Sequence, residues 1–212
     1  MRRTLSALRK ALGGEFLEVT RDSIAISPGG DVWVDACEFS RLIAEFKTHG
    51  HAANQVCPHC LPLMEQAAQL YRDDFMAGFS LRDSAEFDDW QFFQREALRR
   101  DLGGVLERLV EGYTAQKDFG AAIRVARRQV ALDSLDEPAH RQLMRLYAHA
   151  GQYNAALRQY QECSRILQAE LGVAPLEETT RLWRMIREQR LSSASDVAAI
   201  EMVPAAQPVV PA

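Results

Sequence analysis

Apolar residues recur at helical spacing along most of this chain, with one short interruption near its start. Leu5, Leu8 and Leu12 share one face of a helix over residues 2 to 12, while Arg2, Arg3, Ser6, Arg9 and Lys10 take the other side. Gly13-Gly14 then stop it. The interruption follows. Phe16-Leu17-Glu18-Val19 and Ile24-Ala25-Ile26 are short β-type runs joined by Thr20-Arg21-Asp22-Ser23, which predicts a hairpin. After the turn Pro28-Gly29-Gly30-Asp31 comes a third β-type run, Val32-Trp33-Val34, and Asp35 is placed to cap a helix from about Ala36 to Lys47. Leu61, Met64, Ala68, Tyr71 and Phe75 predict a helix that ends at Ala77-Gly78. Its companion starts at Asp83, with Glu86 in a capping-box-like position, and continues one face through Phe87, Trp90, Gln94, Ala97, Leu98 and Leu102. Gly103-Gly104 follow, and a glycine inside a helix costs about 1 kcal/mol relative to alanine, so a kink or break is expected there.

Beyond the two glycines the pattern is written twice. Leu109, Val110, Tyr113, Phe119, Ala122 and Ile123 recur as Leu143, Met144, Tyr147, Tyr153, Ala156 and Leu157, each 34 residues later. That period, built of two helices and a turn, is the tetratricopeptide signature, so a small helical solenoid is expected. In the first repeat the helices cover about 105 to 116 and 119 to 132. Lys117-Asp118 form the turn, and Gly151-Gln152 are its counterpart. Ala122 and Ala156 fall where paired helices must approach closely, and Tyr113, Tyr147, Phe119 and Tyr153 read as core. Pro138 and Pro175 each stand near the first turn of a helix, where a missing N–H costs nothing. The last helix, from about Pro175 to Gln189, puts Thr179, Leu182, Trp183 and Ile186 on one face, as a terminal cap requires. From Leu191 the composition turns to Ser, Ala, Val and Pro, and a disordered tail is expected over 191–212.

Composition changes this picture little. The chain has 212 residues, 47% hydrophobic and 25% charged, an ordinary balance for a globular protein. No apolar run approaches the roughly 18 residues needed to span a bilayer, and the N-terminus lacks the apolar core of a signal peptide. Four cysteines without a secretory signal fit a reducing, cytoplasmic setting. The net charge of −4 hides one asymmetry: residues 2 to 12 carry four basic groups and no acid. Acids gather instead between Asp73 and Asp89, either as a solvated helix end or as a rim for a basic partner.

A basic helix followed by a hairpin is the back half of a winged helix-turn-helix, whose helix enters the DNA major groove while the wing touches the backbone. Leu70-Tyr-Arg-Asp-Asp-Phe-Met-Ala-Gly-Phe79, then Trp90, Arg95 and Leu98, then Glu170-Leu-Gly-Val-Ala-Pro175, resemble the motifs of SARP-type bacterial transcriptional regulators. These join an OmpR-like winged helix to a bacterial transcriptional activator domain. The resemblance covers roughly residues 2 to 188. It implies a mainly α fold, with a partial winged helix over 1–35, an activator domain with tetratricopeptide-like repeats over 36–190, and the tail. It also implies double-stranded DNA as a partner, met by Arg2, Arg3, Thr4, Ser6, Arg9 and Lys10, with Arg21 of the wing on the backbone. Protein partners, through self-association or the transcription machinery, would use the repeats. One departure stands out. A complete winged helix has two helices before its recognition helix, and here the chain begins on the recognition helix, as expected for a fragment of a longer regulator.

Residues 48 to 62 have loop composition and contain Cys57 and Cys60 as a Cys-x-x-Cys pair, with His49, His51 and His59 nearby. Two thiolates at this spacing can share a tetrahedral structural zinc that His49 and His51 would complete. The first reading is nonetheless a polar linker whose cysteines sit at the start of the next helix; zinc is the second, and a redox pair, with no βαβ pattern around it, is the third. Cys37 and Cys163 fall in helical stretches and read as small core or half-buried residues.

No phosphate-binding glycine loop and no Gly-x-Ser-x-Gly elbow occurs, and no nucleophile, base and oxyanion donor come together. The chain therefore reads as a non-enzyme. Two functions lead, a DNA-binding transcriptional regulator or a protein-interaction module that no longer binds DNA, and a zinc-dependent sensor through Cys57 and Cys60 is a third.

Overall fold

A computed structural model describes residues 2–12, 16–21, 23–27, 32–50, 57 and 59–201. Among these residues the chain forms α1 (Arg2–Leu12), a hairpin of β1 (Leu17–Val19) and β2 (Ile24–Ile26), and then α2 (Asp35–Thr48), α3 (Cys60–Leu70), α4 (Ala85–Ala115), α5 (Phe119–Leu132), α6 (Glu137–His149), α7 (Tyr153–Leu171) and α8 (Glu177–Glu201). The hairpin is antiparallel, with Leu17 opposite Ile26 and Val19 opposite Ile24. From α2 onward each helix packs on the one before it in sequence, so the array is a mainly α solenoid behind a small hairpin.

The 34-residue period appears as repeated backbone geometry. α4 ends at Ala115 and α6 at His149; α5 starts at Phe119 and α7 at Tyr153. Between them the same turn is built twice. The N–H of Asp118 donates to the Tyr113 carbonyl at 2.9 Å, and that of Gln152 to the Tyr147 carbonyl at 2.8 Å. Lys117 and Gly151, again 34 apart, both adopt left-handed backbone, at φ 60° and 72°. Asp118 and Asp136 cap α5 and α6 by accepting from Ala121 N and Ala139 N.

Two apolar clusters result. Phe39, Leu42 and Phe46 of α2 meet Leu61 and Met64 of α3 and Leu102, Leu106 and Leu109 of α4. Val110, Ala122, Leu143, Met144, Tyr147, Ala156 and Ile186 form the second, with Tyr113 and Val125 packed against both. At the far end Glu137, buried, accepts the backbone N–H of Leu176 at 2.7 Å, and Arg141 donates to Thr179 Oγ1 at 3.0 Å. These bonds seat the start of α8, while Ile186 and Thr179 turn its buried face inward.

Several elements differ from expectation, each for a local reason. Gly103-Gly104 do not interrupt α4, because Leu102, Val105 and Leu106 on either side are buried and hold the helix through them. Val32-Trp33-Val34 forms no strand, and Asp35 is the first helical residue rather than the cap. The helix expected to reach Ala77 ends at Leu70. Its last carbonyls are taken by side chains from elsewhere: Arg128 of α5 donates to the Ala68 carbonyl at 2.6 Å and also to that of Tyr71. Residues 71–84 then run as turns, with Met76, Gly78 and Asp83 left-handed. Asp83 therefore forms no capping box, and Ser84 precedes α4 without a side-chain cap bond. α8 continues to Glu201 rather than stopping near Gln189, since no glycine or proline occurs between Glu177 and Glu201. The tail expected from Leu191 thus overlaps this helix, and residues 202–212 lie outside the described ones.

Two expectations follow for stability. Lys117 occupies a left-handed position where the second repeat has glycine. Relief of that strain, less the backbone entropy of glycine, makes Lys117→Gly stabilising by about 0.5–1 kcal/mol in urea unfolding. Arg128→Ala leaves the α3 carbonyls without donors and costs about 1–3 kcal/mol in the same measurement, with Arg128→Lys recovering part of the loss.

Candidate functional site

Three surfaces carry the chemistry. The first is the N-terminal basic element. Because side chains advance about 100° per residue, Lys10 and Ser6 project from the side of α1 away from Leu5 and Leu8, whereas Arg9, four residues after Leu5, and Thr4 stand at the flanks of the apolar stripe. Thr4, Ser6, Arg9 and Lys10 are exposed. Arg2 and Arg3 belong to the same helix, but their side chains lie outside the described residues. Arg21 is exposed in the hairpin turn, which closes with the Ser23 N–H donating to Thr20 Oγ1 at 3.0 Å. The apolar residues of this region remain open as well: Leu8 is 42% exposed and Ile26 53%.

The second surface lies where α2 ends and α3 begins. His49 follows the last residue of α2, and its Nδ1 is 3.5 Å from Cys57 Sγ and 3.5 Å from Cys60 Sγ. The three ligand atoms all lie within 4.8 Å of one another, an arrangement that could hold a metal ion. His51, the fourth expected ligand, lies outside the described residues. The His59 ring instead stacks on His49, with centroids 4.7 Å apart. Cys60 is buried and Cys57 half-buried. Burial pushes the Cys57 thiol up, but donors from the Cys60 and His59 backbone and the Cys60 thiol outweigh it, and the Cys57 pKa falls below the ordinary thiol value. Burial, together with the neighbouring Cys57, pushes Cys60 up to about 11. Of the remaining thiols, Cys163 is buried as expected, whereas Cys37 is exposed.

The third surface was not legible as a site in the sequence. Along the first half of α4 and the turns before it, Phe79, Trp90, Phe92 and Phe93 are exposed, Trp90 at 46% and Phe93 at 66%. Trp90 was expected on a buried face. The signal was nonetheless present: residues 90, 92 and 93 spread around a helix, so one neighbour cannot cover all three. Asp83, Glu86, Asp88 and Asp89 are exposed in the same stretch, and the Arg95 guanidinium stands 5.4 Å from the centroid of the Phe92 ring. The turns that hold Phe79 are anchored to α4, because Gln91 Nε2 donates to the Met76 and Phe79 carbonyls at 3.0 and 3.2 Å.

No helix among the described residues is long and apolar enough to cross a membrane. A comparison with curated proteins finds no match. Among solved structures the chain resembles Mycobacterium tuberculosis EmbR, in complex with a low-affinity phosphopeptide, at 20% identity and a TM-score of 0.51. The likeness covers 94% of this chain and 54% of that one, so the chain spans about half the length of that structure, and at this identity the shared property is the fold. The family model for the bacterial transcriptional activator domain, a non-catalytic interaction scaffold, matches residues 34–187. That span runs from the residue before α2 into α8 and takes in both apolar clusters, so the chain belongs to the bacterial transcriptional activator domain family.

Proposed function

We propose that this chain is the working part of a SARP-type, DNA-binding transcriptional regulator acting in the cytoplasm. In this reading α1 enters the major groove of double-stranded DNA, and Arg2, Arg3, Thr4, Ser6, Arg9 and Lys10 face phosphates and base edges. Arg21 at the hairpin turn adds a contact to the backbone. Helices α2 to α8 hold protein partners, either a second copy of the chain or the transcription machinery. The observation that carries the reading is order: the family match begins at residue 34, directly after an exposed basic helix and a hairpin. The exposed aromatic residues at the start of α4 support the protein-binding half, since aromatic residues are enriched at interfaces and clustered ones are rarely left bare without a partner.

The exposure of Leu8, Ile24 and Ile26 favours a second reading, an interaction module that does not bind DNA, because these apolar residues lack the neighbours that would brace a recognition helix.

Fluorescence anisotropy with a mixed-sequence duplex separates the two. If α1 contacts DNA, the logarithm of affinity falls linearly with the logarithm of salt concentration. Arg9→Ala with Lys10→Ala then weakens binding and flattens that slope by about 2, close to one phosphate contact per residue. Binding that is insensitive to salt, or unchanged in the double variant, overturns the DNA reading and leaves the interaction module.

A further inference from the structure

We infer that His49, Cys57 and Cys60 form a zinc site that staples the end of α2 to the start of α3. The first support is the spacing of the ligand atoms. In a tetrahedral site with Zn–S of about 2.3 Å and Zn–N of about 2.0–2.1 Å, a nitrogen and a sulfur ligand lie about 3.6 Å apart. His49 Nδ1 stands 3.5 Å from each of the two sulfurs, so three corners of the tetrahedron are in place around a position between them.

The second support is how the chain builds those corners. The N–H groups of Cys60 and Leu61 both donate to the Cys57 carbonyl, at 3.1 and 3.3 Å. This tight turn at the entry to α3 presents both sulfurs to His49. The third support is His59, whose ring stacks on His49 with planes 25° apart and fixes the imidazole orientation from the outside.

Donor chemistry selects the ion. Two thiolates and an imidazole suit zinc and exclude magnesium and calcium, which demand oxygen ligands. The fourth corner is left to water or to a further ligand.

A metal here has a mechanical task. The connection between α2 and α3 is loop in composition, and α2 is the outermost helix of the first apolar cluster. Its Phe39, Leu42, Ile43 and Phe46 cover Leu61 and Met64 of α3. Pinning the two helix ends together holds that cover in place, and because ligands so arranged exist only in the folded chain, binding energy becomes folding energy.

The test uses the whole chain, loaded with zinc and freed of excess, with metal content read by a chromophoric chelator. About one zinc per chain is expected, as for a structural site of this ligand type. Cobalt(II) in its place should give thiolate-to-cobalt charge-transfer absorption and the intense visible bands of tetrahedral coordination. Cys57→Ser and His49→Ala should each lose the metal and the charge-transfer signature of the intact site, while Cys37→Ser and Cys163→Ser retain both. Chelation should lower the melting temperature of the parent chain and leave that of Cys57→Ser unmoved. Wild-type protein that takes up no metal, or that forms a Cys57–Cys60 disulfide in place of binding it, overturns the inference. So does undiminished binding in Cys57→Ser together with His49→Ala.

Discussion

Each helix of this solenoid hides its apolar stripe mainly against its neighbours in sequence, with smaller contacts from α2 to α4 and from α6 to α8, and among the described residues no second layer covers a helix that fails to dock. The constraint explains the residues at the contacts. Ala122 and Ala156 have no exposed surface, because the helix pairs approach closely there. It also explains why the turn must be reproduced. If the connection after Tyr113 or after Tyr147 had another geometry, α5 or α7 would present a different face to its partner, and the 34-residue spacing of apolar residues would lose its meaning. This shared geometry requires left-handed backbone at both positions, which Gly151 adopts freely and Lys117 only under local strain.

Polar side chains close the array where burial alone leaves backbone groups without partners. Arg99 donates to Asp74 at 2.9 Å and to the Leu132 carbonyl at 2.6 Å, which ties the turns after α3 to the end of α5. Arg128 works in the opposite direction, from α5 to the end of α3. Between them these two guanidiniums satisfy carbonyls at two helix ends, as a positive group near a helix C-terminus does well. In the second repeat His140, fully buried, uses both ring nitrogens: Nε2 meets the Ser134 carbonyl at 3.1 Å and Nδ1 the Gln159 amide at 2.8 Å. A ring proton on Nε2 would donate to the carbonyl and leave Nδ1 to accept from the amide.

The N-terminal region answers to different forces. α1 and the hairpin form from local periodicity and turn chemistry, and Leu8, Ile24 and Ile26 remain exposed there, in contrast to the packed helices that follow. What this region offers a partner is charge, supplied by Arg9, Lys10 and Arg21. What the helical array offers is shape together with an anchored set of aromatic rings on α4. On the proposed reading the two halves therefore meet different partners, one chosen by long-range electrostatics and the other by desolvation of apolar surface.

The sequence by itself determined the repeat, its period, the helices from α5 to α7 and the hairpin, because those features depend on contacts between near neighbours and on turn residues that read the same wherever they occur. It also brought His49, Cys57 and Cys60 into one short segment. Tertiary structure alone decided what depends on residues far apart in the chain. α3 stops at Leu70 because Arg128, about sixty positions away, takes its carbonyls; α4 runs unbroken through two glycines because their neighbours are buried against α3 and α5; and Trp90 rests on Phe75 and Phe87 and stays 46% exposed. The convergence of one imidazole nitrogen on two sulfurs was likewise a matter of how α2 folds back on α3, since spacing along a loop constrains distance in space only from above.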